Sequence, residues 1–173
     1  LLASAIQDPD PVIYLEPKKI YRAFKQDVPE NEYLVPIGKA KVFYAAKDPN
    51  VTVVSWGAMV HDAVKAVRAL EAEGVRAEVI DLRTISPIDY PTIYESVRKT
   101  GRLIVVSEAV KSFGVASEVI TRVTENCFLS LEAAPARVTG WDITVPLARG
   151  EYHHMPDVKR ISYDIKKLMA FKL

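Results

Sequence analysis

The sequence has little of several features that define whole classes of protein. Its 173 residues include one cysteine, which excludes a disulfide framework within the chain and suits a reducing compartment. It carries 23 basic and 22 acidic residues, so it lacks the excess positive charge typical of nucleic-acid binding. No apolar run reaches the ~18 residues of a membrane span. We therefore predict a cytoplasmic protein with neither a nucleic-acid nor a membrane partner.

The common catalytic and phosphate-binding motifs are also missing from the sequence. There is no G-x-G-x-x-G, Walker A or G-x-S-x-G pattern, and Gly114 stands alone before a helix, which is more typical of a tight turn. Of the three histidines, His153 and His154 are adjacent and His61 is distant, so the i, i+4 spacing of helical zinc ligands is absent. These patterns favour neither a nucleotide site, nor a zinc site, nor a serine hydrolase.

What the sequence does contain, from residue 51 onward, is an alternation of short apolar strands and longer amphipathic stretches. This alternation predicts an α/β fold with three layers, in which helices cover both faces of a mostly parallel sheet of about five strands. One edge strand is expected to be antiparallel. The predicted strands are "KAKVFYA" (39–45, the antiparallel edge), "VTVVSW" (51–56), "AEVIDL" (77–82), "RLIVVSE" (102–108) and "ARVTGWD" (136–142).

Helices are predicted between these strands from apolar residues spaced three and four apart. Their ends are indicated by Gly74 and Gly101, which suit C-caps, and by Asp89 and Asp157, which suit N-caps. Between Gly114 and Leu131 the apolar stripe includes Cys127, which we interpret as a small buried hydrophobic residue.

The first part of the chain lacks this alternation. Prolines at 11, 17, 29 and 36 interrupt any long helix and leave one predicted strand, Val12 to Leu15. We interpret this segment as the tail of a preceding domain with a linker, and we expect the chain, which opens Leu-Leu-Ala, to be part of something longer. Lys172 and Leu173 are interpreted as cloning remnants.

Charged residues gather where the second predicted strand ends, in "EVIDLRTISPID" (78–89). Open α/β sheets bind ligands at the carboxyl ends of their strands, so Asp81 and Arg83 are candidates for a site. The competing interpretation is structural: the Asp81 carboxylate accepts hydrogen bonds from backbone amides of the turn, and Arg83 forms an ion pair with Asp81 or with Glu108 on the next strand. We favour this structural or interface role for Asp81, Arg83 and Glu108 over catalysis.

Longer stretches of the sequence resemble a known family. The segments "VTVVSWGAMVHDAVKAVRALEAEGVRAEVIDLRTISPID", "SVRKTGRLIVVSEA" and "RVTGWDITVPLA" closely resemble the C-terminal domain of the transketolase family, in particular in the beta subunit of thiamine-diphosphate-dependent 2-oxo acid dehydrogenases. "DPDPVIYLEPKKIYRA" and "YLVPIGKA" resemble the end of the preceding pyrimidine-binding domain and its connector. The resemblance implies a domain tail and linker at 1–38 and a transketolase-type C-terminal domain at 39–171.

This resemblance implies a function for the parent enzyme. Thiamine diphosphate, held with magnesium between alpha and beta subunits, decarboxylates a 2-oxo acid and passes the acyl group to the lipoyl arm of an acyltransferase. "NCFLSLEAAPARVTGWD" is similar to branched-chain (2-oxoisovalerate) enzymes, with pyruvate or acetoin dehydrogenase as alternatives. A free-standing α/β binding module, or a small α/β enzyme that uses Asp81, Arg83 and Glu108, is the competing class.

In this family the catalytic glutamate and histidine precede the segment present here. The resemblance therefore implies that this chain alone is inactive and binds no thiamine diphosphate. It implies instead an assembly and docking domain, which packs against an alpha subunit and a second beta subunit and offers a surface to the acyltransferase.

Two more sites follow from the resemblance and from the loop near the C-terminus. Beta subunits of this branch bind potassium partly through a segment similar to "SAIQDPDP", which implies Ala5, Asp8 and Asp10 as ligands, largely through main-chain carbonyls; a helix end followed by a proline turn also explains that segment. Three apolar residues near the loop "VPLARGEYHHMP" are expected at an interface of the chain: Trp141, Tyr152 and Met155. The alternative is that this loop folds back over its own sheet.

Overall fold

The computed structural model describes residues 1–171, so the interpretation of Lys172 and Leu173 lies outside the described residues. Five strands form one sheet in the order β1, β3, β2, β4, β5. The strands are β1 (Lys41–Ala45), β2 (Val51–Ser55), β3 (Ala77–Asp81), β4 (Leu103–Val110) and β5 (Ala136–Gly140). The β1 strand is antiparallel to β3, and the other neighbours are parallel. The predicted fold class is confirmed.

Six α-helices accompany the sheet in the described part of the chain: α1 (Leu2–Gln7), α2 (Met59–Ala69), α3 (Tyr90–Thr100), α4 (Val115–Cys127), α5 (Glu151–His154) and α6 (Val158–Met169). Short 3-10 turns lie at Lys18–Ile20, Glu71–Glu73, Phe128–Ser130 and Ala148–Gly150. No helix within residues 1–171 has the length and apolar character needed to cross a bilayer.

The two faces of the sheet have separate cores. Along β2, Val53 packs with α2 and α6, whereas the next residue, Val54, packs with α3 and α4. Successive side chains of a strand point to opposite faces, so a strand that is apolar at most positions is suited to a sheet covered on both sides. All five residues of β2 are buried, which makes it the centre of the fold.

Some helix ends follow their sequence signals and others do not. Gly101 ends α3 with φ 69°, and the Asp157 carboxylate accepts a hydrogen bond from the Arg160 amide at the start of α6. The helix predicted to continue to Leu131 stops at Cys127 and gives way to a 3-10 turn, in which Phe128 is exposed. Cys127 is buried as expected.

The first forty residues contact the domain without entering its core. None of them is buried, and the strand predicted at Val12–Leu15 is not formed. Pro11 and Pro17 bracket that segment, and a lone strand with no neighbour to supply hydrogen bonds gains nothing from an extended conformation. The chain then enters β1 at a fixed place: the Gly38 amide donates to Thr84 Oγ1 (3.2 Å) and the Ala40 amide donates to Asp89 Oδ2 (3.1 Å).

Candidate functional site

Asp81 and Arg83 lie at the carboxyl end of β3, as the sequence predicts. Asp81 Oδ1 accepts a hydrogen bond from the backbone amide of Arg83 at 3.0 Å. Arg83 itself has φ 59°, a left-handed conformation that side chains other than glycine and asparagine rarely adopt. The Asp81 carboxylate therefore stabilises a tight turn by accepting one of its amides.

Two carboxyl groups at this edge of the sheet lie in surroundings that disfavour their charge. Burial raises the pKa of Asp81; the hydrogen bond from the Arg83 amide and electrostatic interactions with Arg83, His61 and Lys41 lower it. Burial also raises the pKa of Glu108, which lies near the carboxyl end of β4. Electrostatic repulsion by Asp62 and Glu151 adds to this increase, and attraction by Lys19 opposes it. The edge thus holds two partly buried carboxyls with a raised proton affinity.

The ion pairs considered for Arg83 are not formed in the part of the chain that the structure describes. Arg83 joins Asp81 through its backbone amide, and no salt bridge links its guanidinium to Asp81 or to Glu108 within residues 1–171. The three residues share an edge of the sheet without forming a continuous network. Whether they serve structure, an interface or catalysis stays a prediction.

Asp89 is at the N-cap position of α3, but its side chain makes a different contact from the one expected. It accepts no capping bond from a helix amide; its Oδ2 accepts from Ala40 and from the Thr92 hydroxyl. Thr84, which the sequence reasoning did not single out, accepts from Gly38 and donates to the Pro87 carbonyl. These two side chains anchor the entrance to the domain rather than a ligand site.

The loop that follows β5 is partly fixed and partly exposed. Trp141 is 54% exposed; its Nε1 donates to the His153 carbonyl (2.9 Å), and the Arg160 guanidinium lies 4.5 Å from its ring centroid. Tyr152 is 82% exposed, as expected. Met155 differs from the expectation, since it is half-buried against the core of the α2 and α6 face. The one-turn helix α5 ends just before Met155 and directs the chain back onto the sheet.

His154 is a buried polar residue that the sequence reasoning missed. Its side chain is almost fully buried, and neither ring nitrogen has a hydrogen-bond partner among the described residues. Arg160 donates to the His154 carbonyl at 3.0 Å and to the Thr139 carbonyl at 2.7 Å, which fixes the backbone around the ring. The doublet of His153 and His154 gave no signal of this, because adjacent side chains in a loop carry no periodicity.

The N-terminal segment expected to hold potassium has one feature that fits this role. The Ala5 carbonyl lies in the last turn of α1, and the residue four positions on is Pro9, which has no amide hydrogen to donate to it. Asp8 Oδ1 accepts from the Asp10 amide at 3.0 Å, a local turn. No cluster of three metal-ligating side chains occurs anywhere in residues 1–171. The potassium site at Ala5, Asp8 and Asp10 stays a prediction.

The family follows from a comparison with known domains. The model of the transketolase C-terminal domain matches residues 38–161, well over half of the chain. This chain belongs to that family. The expected resemblance is thereby confirmed at the level of the domain.

Relatives extend the likeness over nearly the whole chain. It is similar to the pyruvate dehydrogenase E1 component subunit beta of Acholeplasma laidlawii, with 60% identity over 168 residues, which are 97% of this chain and 51% of that protein. The proteins of the same name from Mycoplasma pneumoniae and Bacillus subtilis are 48% and 45% identical over 98% and 99% of this chain, and 51% and 52% of theirs. The chain therefore spans about half the length of the curated relatives it matches.

Solved structures share the fold. A split-gene transketolase described as an inactive beta4 tetramer matches with a TM-score of 0.70 and 24% identity, over 86% of this chain and 48% of that one. A 2-oxoglutarate:ferredoxin oxidoreductase from Magnetococcus marinus matches with a TM-score of 0.52 and 14% identity, over 76% of this chain and 20% of the other. At these identities the likeness establishes the fold alone.

Proposed function

We propose that this chain is the C-terminal half of the beta subunit of a thiamine-diphosphate-dependent 2-oxo acid dehydrogenase, and that it serves assembly and partner docking. The observation that carries the proposal is the 60% identity, over 97% of the chain, with a protein named as a pyruvate dehydrogenase beta subunit. The partners we propose are an alpha subunit, a second beta subunit and the acyltransferase that carries the lipoyl arm. The compartment we propose is the cytoplasm.

The substrate we propose for the parent enzyme is pyruvate. The sequence favoured a branched-chain 2-oxo acid, with pyruvate as an alternative, from the single stretch "NCFLSLEAAPARVTGWD". In the structure this stretch forms the end of α4, the turn after it and β5. The relatives named above are all pyruvate dehydrogenases, and they support the pyruvate alternative over the branched-chain one.

The residues of this chain do not fit thiamine diphosphate and magnesium by themselves. The N-cap residue of α2, after β2, is Ala58 and makes no side-chain cap; that of α4, after β4, is Gly114 in an extended conformation. Neither loop has the glycine-rich form of a phosphate cradle. Within the described residues no group of carboxylates converges to hold a divalent ion. We therefore derive no catalytic step in this chain, and propose that its own residues position the rest of the subunit.

A chimeric subunit tests the proposal directly. The 168 aligned residues of the Acholeplasma laidlawii beta subunit are replaced by the aligned part of this chain, and the chimera is produced with the alpha subunit of that organism. We expect an assembled enzyme that decarboxylates pyruvate in preference to 2-oxoisovalerate. The matched control is a chimera with the corresponding part of the Bacillus subtilis beta subunit, which aligns with this chain over a similar length.

Two results would count against the proposal. A chimera that folds but does not bind the alpha subunit, while the control chimera does, would contradict the assembly role. A chimera that assembles and prefers 2-oxoisovalerate would contradict the choice of pyruvate and would mean that this half of the subunit influences substrate selection.

A further inference from the structure

Residues 18–26, which we name the strap, lie outside the segment matched by the family model and yet contact the domain across about forty residues of sequence. The strap reaches the start of α2. Lys19 Nζ lies 2.9 Å from Asp62 Oδ2, and Lys65 Nζ lies 3.3 Å from Asp62 Oδ1, so one carboxylate holds a lysine of the strap and a lysine of the helix. The strap also lays an aromatic ring on the domain: the Phe24 and His61 ring centroids are 4.6 Å apart.

His61 is the centre of this aromatic contact. Phe43 of β1 contacts the same imidazole edge-on, with 5.5 Å between ring centroids. The ring of His61 thus contacts one phenylalanine of the domain and one of the strap. Aromatic pairs in this range of distance contribute beyond simple burial of area.

The contact between strap and domain is nevertheless loose. An open groove of about 530 Å³ runs between them. It is lined by residues of the strap and of the domain: Lys19, Ile20, Ala23, Phe24, Lys25 and Gln26 on one side, and Phe43, Ala58, His61, Asp62 and Lys65 on the other. Densely packed contacts leave little such space, so the strap meets the domain at a few points. No residue of the strap is buried, and only Ile20 is half-buried.

We propose that the strap docks reversibly on His61 and Asp62 of α2, and that the position of the chain before residue 18 decides whether it is docked. The docked state is held by the Lys19 to Asp62 ion pair and the Phe24 to His61 contact. Because these interactions are few and exposed, the undocked state is close in free energy and the preceding part of the polypeptide is able to select between the two.

Limited trypsin digestion of this chain measures the docking. Cleavage after Arg22 and Lys25 requires that the strap leaves the domain, and its rate is followed by mass spectrometry under conditions in which cleavage, rather than opening, is slow. We expect Asp62→Asn and Lys19→Met each to accelerate cleavage at these two sites by about 1.5- to 5-fold, the range for exposed ion pairs. We expect Phe24→Ala to accelerate cleavage by about 2- to 10-fold.

The matched control is Asp164→Asn, a half-exposed aspartate on α6, the neighbouring helix on the same face. It should leave the rates at Arg22 and Lys25 unchanged. The Lys19→Met, Asp62→Asn double variant should cleave no faster than the quicker of the two single variants, because both remove the same ion pair. Equal rates in the wild-type chain, Asp62→Asn and Phe24→Ala, or additive effects of Lys19→Met and Asp62→Asn, would overturn the proposal. Far-UV circular dichroism on every variant separates strap release from loss of the fold.

Discussion

The imidazole of His154 lies directly against the α-carbon of Gly140, at the end of β5. A methyl group at position 140 would overlap the ring nitrogen Nε2 and would also stand 2.9 Å from the Glu108 carbonyl oxygen. Glycine is therefore required here by a close approach, not by an unusual backbone angle. The contact joins the last strand of the sheet to the loop that precedes α6.

The first prediction follows from this contact. Gly140→Ala should lower the free energy of unfolding by about 1 to 3 kcal/mol, because the new methyl group overpacks a buried position. Urea denaturation measures the change. In the double variant with His154→Ala, the effect of Gly140→Ala should shrink, since half of the obstruction is gone. An equal loss with and without His154 would mean that the Glu108 carbonyl alone is responsible.

Arg83 gives a second prediction, which differs from the one that its charge suggests. Its guanidinium makes no ion pair within residues 1–171, whereas its backbone is left-handed. Arg83→Gly should raise the free energy of unfolding, by up to about 1 kcal/mol, because glycine adopts this conformation without strain. Arg83→Met keeps the strain and should change stability by less than about 0.5 kcal/mol. A large loss in Arg83→Met alone would reveal a charged contact of the guanidinium.

The third prediction concerns pH and Asp81. A carboxyl whose pKa is raised on folding binds its proton more tightly in the folded chain, so its contribution favours folding in acid. That contribution is lost as the pH rises from the unfolded pKa, about 3.9, through the folded one. Asp81→Asn retains an oxygen to accept from the Arg83 amide and removes the buried charge. We expect this variant to be more stable than the wild type at pH 7 and no more stable at pH 3.

Asp142 is the matched control for that experiment, because its shift has the opposite sign. Hydrogen bonds from the Ser112 amide and hydroxyl lower the pKa of Asp142. Asp142→Asn should therefore reduce stability at pH 7, and the difference should disappear as the pH falls below the ordinary range of an aspartate. Thermal unfolding of both variants from pH 3 to pH 7 tests the pair. The same sign for both would refute the electrostatic explanation.

The fourth prediction is that this chain alone neither binds thiamine diphosphate nor decarboxylates pyruvate. Isothermal titration calorimetry with thiamine diphosphate and magnesium should give no saturable heat at a protein concentration of about 100 µM, whereas the assembled chimera described above should bind. The chimera is the positive control. Saturable binding by the isolated chain would contradict the assembly role and favour the alternative of a self-sufficient small enzyme.

The fifth prediction concerns self-association. Leu147 is 89% exposed and Tyr152 is 82% exposed, and both lie on the loop after β5 that Trp141 and Arg160 fix at its ends. We expect the chain to associate at high micromolar concentration and Leu147→Ser with Tyr152→Ser to weaken association by at least about 5-fold, as apolar anchor residues do. Sedimentation velocity measures this. Phe128→Ser, an exposed aromatic residue after α4, is the control and should have no effect; a strictly monomeric wild type would refute the prediction.

Met155 is unsuitable for this association test because it is half-buried against the core. The sequence grouped it with Tyr152, since both are apolar residues in a polar loop. In the fold Met155 packs with the core, so Met155→Ser would destabilise the domain and would confuse loss of folding with loss of association.

The sequence predicts the domain well where burial is periodic. Val60, Val64, Val67 and Leu70 recur at helical spacing, and all are buried except Val64, which is half-buried. The β-branched, nearly continuous apolar run of β2 predicts a strand covered on both faces. These patterns succeed because the hydrophobic effect buries the apolar side of each helix and strand against the neighbouring layer, and that side is visible in the spacing of the residues.

Sequence reasoning fails where a single tertiary contact decides the outcome. His154 and Gly140 are fourteen residues apart, and nothing local marks them as neighbours. Val12 to Leu15 has the composition of a strand. A strand also needs a neighbouring strand for its backbone hydrogen bonds, and residue propensity does not show whether one is present. Asp89 occupies the predicted cap position and yet binds the Ala40 amide, forty-nine residues before it in the chain. At the candidate edge, the positions of Asp81 and Glu108 were predictable. The left-handed backbone of Arg83, and the absence of an ion pair to its guanidinium within residues 1–171, were not.

The anchoring of Gly38 and Ala40 to Thr84 and Asp89 has a practical consequence for recombination. A Cβ at Gly38 would stand 2.9 Å from the Pro87 side chain, so this glycine fits closely against the turn that carries both anchors. A crossover placed before Gly38 keeps the two partners of each hydrogen bond within one parental segment. A crossover between Ala40 and Thr84 separates them, and each parent must then match the other's turn. Libraries of hybrid subunits built from these relatives should therefore yield folded members far more often when the seam lies on the N-terminal side of Gly38.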